Sequence, residues 1–177
     1  LLAVPIAIGG FLLARPIMQL LYGSVYLPGT SSFAILALTT LAVFPAAIIA
    51  NGVYAHDKQK NLLGYVALGI GGNILLNFLL IPILGIAGAA ISTFINQIII
   101  NVYLWRRFKK VSDFSILPHL NKIVTAGLIM GVFTLLMKHY SVNVIGNIAL
   151  SGALYLIFLW ILKEPMLRML NKSKQTN

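Results

Sequence analysis

Leu62-Leu-Gly-Tyr-Val-Ala-Leu-Gly-Ile-Gly-Gly-Asn-Ile-Leu-Leu-Asn-Phe-Leu-Leu-Ile-Pro-Ile-Leu-Gly85 runs directly into Ile86-Ala-Gly-Ala-Ala-Ile-Ser-Thr-Phe-Ile-Asn-Gln-Ile-Ile-Ile-Asn-Val-Tyr-Leu-Trp105 without one charged residue. A helix needs about 20 mostly apolar residues to cross a bilayer. This run therefore predicts two spans, 62–84 and 86–105, with Pro82-Ile-Leu-Gly85 as the tight hairpin between them. Upstream, 1–22 and 32–55 read as two more, joined by the turn-rich Gly23–Thr30. Downstream, 122–137 and 144–162 read as a final pair. Pro16 and Pro45 lie inside spans and read as kinks, because neighbouring helices can satisfy the backbone groups that proline frees.

The whole chain agrees with its centre. Of 177 residues, 59% are hydrophobic and 9% charged, with a mean hydropathy of +0.94. Soluble domains are about 25% charged and about 45–50% apolar. Those values exclude a soluble globular enzyme and a disordered tail. The absence of cysteine excludes a disulfide scaffold, a thiolate metal site and a cysteine nucleophile. The fold class is all-α, a polytopic bundle of about six transmembrane helices. Because the sequence begins at Leu1 inside an apolar run, it reads as the C-terminal part of a longer membrane protein.

The net charge of +10 would suggest nucleic acid on a soluble protein. Here it tracks topology. Lys58 and Lys60 lie between the second and third spans. Arg106, Arg107, Lys109, Lys110 and Lys122 lie between the fourth and fifth, and Lys163, Arg168, Lys172 and Lys174 in the tail. The other loops hold only Lys138, and Arg15 sits within the first span. Positive residues favour the cytoplasm. The alternation predicts six spans in the cytoplasmic (inner) membrane with a cytoplasmic C-terminus, and no nucleic-acid partner. It divides the chain into four helices over 1–105, a basic loop over 106–121, a helix pair over 122–163 and a tail over 164–177.

Enzyme chemistry finds no support. Asp57, Asp113 and Glu164 are the only acids, and none shares a helix face with another. His56, His119 and His139 have no metal-ligand spacing. The polar residues within spans say more. Tyr65, Gly69, Asn73 and Asn77 recur every four residues and share one face. Gly88, Ser92 and Asn96 form one stripe on the next helix, and Ala89, Thr93, Gln97 and Asn101 the adjacent one. Side-chain amides in hydrocarbon need partners or water. These stripes either line a substrate cavity through Asn73, Asn77, Ser92, Asn96 and Gln97, or bind the two helices to each other. Gly127 and Gly131 form a GxxxG on the fifth span, and Ala149 and Ala153 a small pair on the sixth; both suggest close packing of these two helices.

Arg15 is the only charge well inside a span, roughly 10 Å inward of Tyr22 at about 1.5 Å per residue. An intramembrane Arg either faces a cavity or partner or snorkels to the headgroups. In a cavity its guanidinium suits a phosphate, which it binds bidentately.

The segment Asn73-Ile-Leu-Leu-Asn77 through Pro82, Gly85 and Gly88-Ala-Ala-Ile-Ser-Thr93 closely resembles the Asn…Pro…Gly-x-x-Gly-Ala-Ala-x-x-Thr signature of polysaccharide/O-antigen exporters. These are oligosaccharide flippases of the multidrug/oligosaccharidyl-lipid/polysaccharide exporter superfamily. Pro16-Ile-Met-Gln-Leu-Leu-Tyr-Gly23 with Tyr26 also looks like that family. The resemblance implies a transporter of 12–14 helices, of which this chain supplies the C-terminal part. It implies translocation of undecaprenyl-pyrophosphate-linked oligosaccharide by alternating access, with membrane lipid and the lipid-linked glycan as partners and other polysaccharide-assembly membrane proteins beside them. Arg15 would suit the pyrophosphate, and Pro82, Gly85 and Gly88 would be hinge and packing elements. No cofactor is implied. Na⁺ or H⁺ coupling, if present, falls to residues of the missing half, since no acid lies within these spans. A drug/cation antiporter and a peptidoglycan-precursor flippase of the same superfamily are alternatives. So, from other classes, are a membrane polysaccharide polymerase or ligase and a non-transporting assembly subunit.

Overall fold

The computed structural model describes residues 1–55, 60–108 and 117–162. Among these there are seven α-helices and no strand: α1 (Ala3–Leu12), α2 (Ala14–Tyr22), α3 (Thr30–Ala55), α4 (Lys60–Leu84), α5 (Ile86–Phe108), α6 (Leu117–His139) and α7 (Val144–Ile161). A 3-10 turn, Ser24–Gly29, joins α2 to α3. Five stretches are long and apolar enough to cross a membrane: Ser24–Ala47, Leu63–Leu84, Ile86–Arg107, Asn121–His139 and Val144–Ile161. The chain is thus a multi-pass membrane protein, built as the composition requires.

The first span is not one kinked helix. α1 and α2 meet at 80° around Leu13 and are long enough to cross a membrane only as a pair. Pro16 is the third residue of α2, so the bend precedes it. Without an N–H it leaves the Leu12 carbonyl with no i+4 donor. Lys138 Nζ, from the end of α6, donates to that carbonyl at 2.9 Å. The one lysine of the loop between the last two spans is thus turned back onto the break.

At Pro45 the outcome differs. α3 continues through it to Ala55. Pro45 deprives the Leu41 carbonyl of its donor, and Asn101 of α5 donates to the adjacent Ala42 carbonyl at 2.7 Å. α5 extends through Arg106 and Arg107 to Phe108, and α6 begins at Leu117, so the regular structure on both sides reaches into the stretch read as a loop over 106–121. Lys58, Lys109, Lys110, the three acids and the tail from residue 163 lie outside the described residues.

Two apolar clusters hold the helices. Ala46, Ile49 and Leu104 pack with Tyr65 and Trp105 across α3, α4 and α5. Ala126, Met130, Tyr155 and Leu159 pack with Val4, Ile8 and Phe158 across α1, α6 and α7. The sets join where α1 lies on α3: a Cβ on Gly10 would stand 2.7 Å from that of Ala37. The GxxxG of α6 serves the second set, but not as the spacing suggested. Gly127 faces Val4 and Ile8, and Gly131 faces Ile8 and Leu12, so the small face receives α1 rather than α7. Ala149 and Ala153 are exposed. α7 packs instead through Asn147, Ser151, Tyr155 and Leu159, spaced at i+4 on one face.

Candidate functional site

The amide stripes of α4 and α5 resolve into separate tasks. Ser92 is fully buried and returns its hydroxyl to the Gly88 carbonyl of its own helix at 2.8 Å. Asn96, 6% exposed, crosses to α4 and donates to the Gly69 carbonyl at 2.8 Å. The approach depends on glycine, because a Cβ on Gly72 would collide with Asn96 Oδ1. Gly64 gives the same clearance to the Tyr103 hydroxyl. In that seam Asn96 ties α5 to α4, while Ser92 is buried and bonded within α5.

Asn73 and Asn77 are half-buried and bond to each other along α4 at 2.8 Å. Gln97 donates to Asn101 on its own helix, 3.4 Å away, and Asn101 in turn supports α3. Among the described residues, Asn77 Oδ1, Asn96 Oδ1 and Ser32 Oγ are buried without a hydrogen-bond partner. The six residues suggested as substrate contacts therefore occupy three places: the α4–α5 seam, the α3–α5 contact, and Arg15 at the α1–α2 bend. A single-cysteine protein with Cys at Ser92 or at Asn96 is expected to resist a membrane-impermeant thiol reagent. Labelling at both positions would mean that water enters the seam.

The proposed hinge and packing residues are distributed likewise. Pro82 lies in the last turn of α4, where it leaves only the Phe78 carbonyl short of a donor. Gly85, at φ +57, reverses the chain, and its N–H bonds to the Ile81 carbonyl at 2.8 Å. Gly88 then passes directly over the Leu80 backbone.

A polar network missed in the sequence lies between α6 and α7. Asn147 Nδ2 donates to the Thr134 carbonyl at 3.1 Å, and Ser151 Oγ to Asn147 Oδ1 at 3.0 Å. The Thr134 and Ser151 hydroxyls are 3.0 Å apart, and all three side chains are buried. The four-residue spacing of Asn147, Ser151 and Tyr155 was the available signal. At the opposite end of the bundle, Arg107 sits 5.4 Å from the Tyr103 ring centroid. A cavity of about 300 Å³ between α3 and α5 carries Arg106 on its rim and is otherwise mostly apolar.

Comparison with known proteins supplies what this geometry lacks. The profile of the lipid II flippase MurJ family matches residues 1–166. A relative from Rhizobium tropici, described as a probable lipid II flippase MurJ, is 29% identical over 149 residues. The match takes in 78% of this chain and 28% of that protein, so the chain spans little more than a quarter of the relative's length. No solved structure matches.

Proposed function

The chain belongs to the MurJ lipid II flippase family, and from that premise we propose that the protein moves lipid II, the undecaprenyl-pyrophosphate-linked peptidoglycan precursor, from the cytoplasmic to the outer leaflet. The observation that carries this reading is a family match running through both helix sets, from residue 1 to residue 166. It favours the peptidoglycan precursor over the O-antigen units suggested by Asn73–Thr93. The peptidoglycan-precursor alternative named beside the O-antigen reading becomes the main one. Members of this family are flippases, which transport and do not catalyse a reaction.

In this reading the chain supplies C-terminal helices of a larger transporter, with Arg106 and Arg107 at the cytoplasmic surface and the C-terminus on the same side. The loop charges support that orientation. Asn73, Asn77 and Gln97, half-buried, offer amides to a sugar or diphosphate headgroup, while Asn96 holds together the helices that carry them.

The test is transbilayer movement by the full-length protein in vesicles. Fluorescent lipid II and an undecaprenyl-pyrophosphate-linked O-antigen unit are loaded separately and followed with an impermeant quencher. Lipid II is expected to become accessible and the O-antigen unit to stay protected. Movement of the O-antigen unit alone would return the function to polysaccharide export.

A further inference from the structure

The bend at Leu13 opens a cavity of about 240 Å³ against the α6–α7 turn. Arg15 and Gln19 line it from α2, Lys138 from the end of α6, Ser141 from the turn after it, and Asn147 from α7. Residues more than a hundred positions apart thus converge there. None of the described residues is an Asp or a Glu, so no carboxylate among them offsets the two cations.

Pro16 breaks the helix, which turns the Arg15 side chain out at the bend, exposed. Lys138 is drawn to the same point by the carbonyl that Pro16 frees. One of its three N–H groups is used there and its charge is not cancelled, since a carbonyl carries none. Asn147 is 1% exposed and spends one of its two amide N–H groups on the Thr134 carbonyl. Ser141, at φ 55, turns the chain, and Asn143 caps α7 by accepting from the Ile145 N–H at 2.9 Å. Both fix the lip of the cavity. A planar guanidinium, an ammonium and amide donors around a small open cavity match a tetrahedral oxyanion: Arg binds phosphate bidentately and Lys binds it as a point charge.

We propose that this cavity is a binding site for the phosphate headgroup of a membrane lipid, at the outer end of the bundle in the orientation given by the loop charges. Arg15 clamps the phosphate oxygens, Lys138 neutralises them, and Gln19 and Asn147 donate from the side. The lipid is either the diphosphate-linked carrier arriving in the outer leaflet or a bulk anionic phospholipid. Only the first identity rests on the lipid II reading.

The full-length protein, with Val142→Cys at the lip as its single cysteine, is placed in phosphatidylcholine nanodiscs and treated with an impermeant thiol reagent. Farnesyl diphosphate, farnesol and phosphatidylglycerol are added in separate arms. Farnesyl diphosphate is expected to slow labelling and farnesol to leave it unchanged. Arg15→Gln and Lys138→Gln should each raise the protecting concentration by about tenfold, the loss of one charged hydrogen bond. Arg15→Lys should recover part of it. Unchanged labelling of these variants without probe shows that the cavity still forms, and Lys138→Gln keeps a donor for Leu12. Protection by phosphatidylglycerol as well identifies the bulk headgroup as the occupant, and protection by farnesyl diphosphate alone identifies the carrier. No protection by either, or equal protection by farnesol, overturns the site. Lipid II movement without protection would sink this site and spare the proposed function. Protection without lipid II movement would do the reverse.

Discussion

Gly88→Ala is expected to destabilise the protein by at least about 3 kcal/mol, the upper end of the usual overpacking cost. The new Cβ would run into the Leu80 carbonyl oxygen, with the Leu80 carbonyl carbon at 2.6 Å and the Ile81 nitrogen at 3.0 Å. Overpacking is tolerable when a side chain can rotate away. Here every obstructing atom is backbone, in the last turns of α4. Relief requires separating α4 from α5, which withdraws Asn96 from the Gly69 carbonyl. Gly85→Ala is the comparison. It puts a Cβ into open space at φ +57 and should cost only about 1–2 kcal/mol, the penalty of a left-handed residue. Thermal unfolding of the full-length protein in detergent measures both. A Gly88→Ala midpoint equal to that of Gly85→Ala would show that the hairpin does not need this approach.

Asn147→Ala should cost about 1–3 kcal/mol, because it leaves buried groups unpaired rather than merely removing a bond. Ser151 loses the acceptor for its hydroxyl and the Thr134 carbonyl loses a donor. Ser151→Ala should cost less, since Asn147 keeps its bond to Thr134. Ala149→Leu, two positions away on the exposed face, should be nearly neutral. The same melting series tests the order. An Asn147→Ala protein as stable as wild type would mean that the α6–α7 contact rests on Met130, Tyr155 and Leu159 alone.

Much of this architecture is legible without coordinates. The uncharged run from Leu62 to Trp105 is too long for one span and carries its own turn, so α4, the hairpin and α5 follow from length and from Gly85. Other features are not written locally. The residues Arg15-Pro16 signal a disturbance, but a proline perturbs the turn before it, and whether a helix kinks or breaks depends on what receives the freed carbonyl. At Leu12 the donor is Lys138, remote in sequence; at Pro45 Asn101 bonds not the freed Leu41 carbonyl but its neighbour Ala42, and the helix runs on. The spacing of Gly127 and Gly131 shows that a helix approaches closely, not which one, and α1 has the β-branched Val4 and Ile8 that fill the groove. Along α7, Ala149 and Ala153 match a packing motif, yet the buried face is the one bearing Asn147 and Ser151. Their amide and hydroxyl reward burial only because Thr134 stands opposite. Pattern identifies a face; partner chemistry decides which face is used.

The family to which the chain belongs comes from the extended match, not from the site. The amides of α4 and α5 bond within their own helices or across the seam, and the Asn73–Thr93 resemblance alone pointed to O-antigen units.

The bond from Lys138 to Leu12 spans 126 positions of chain. At a synthesis rate of about 5–20 residues per second, the donor leaves the ribosome about 6–25 s after the acceptor. Throughout that interval the carbonyl exposed by Pro16 is without the donor that holds it in the folded chain, so the angle between α1 and α2 is not yet fixed by that bond. The bend is completed only when α6 arrives, so α1 and α2 mature later than their place ahead of α3–α5 in the chain would suggest.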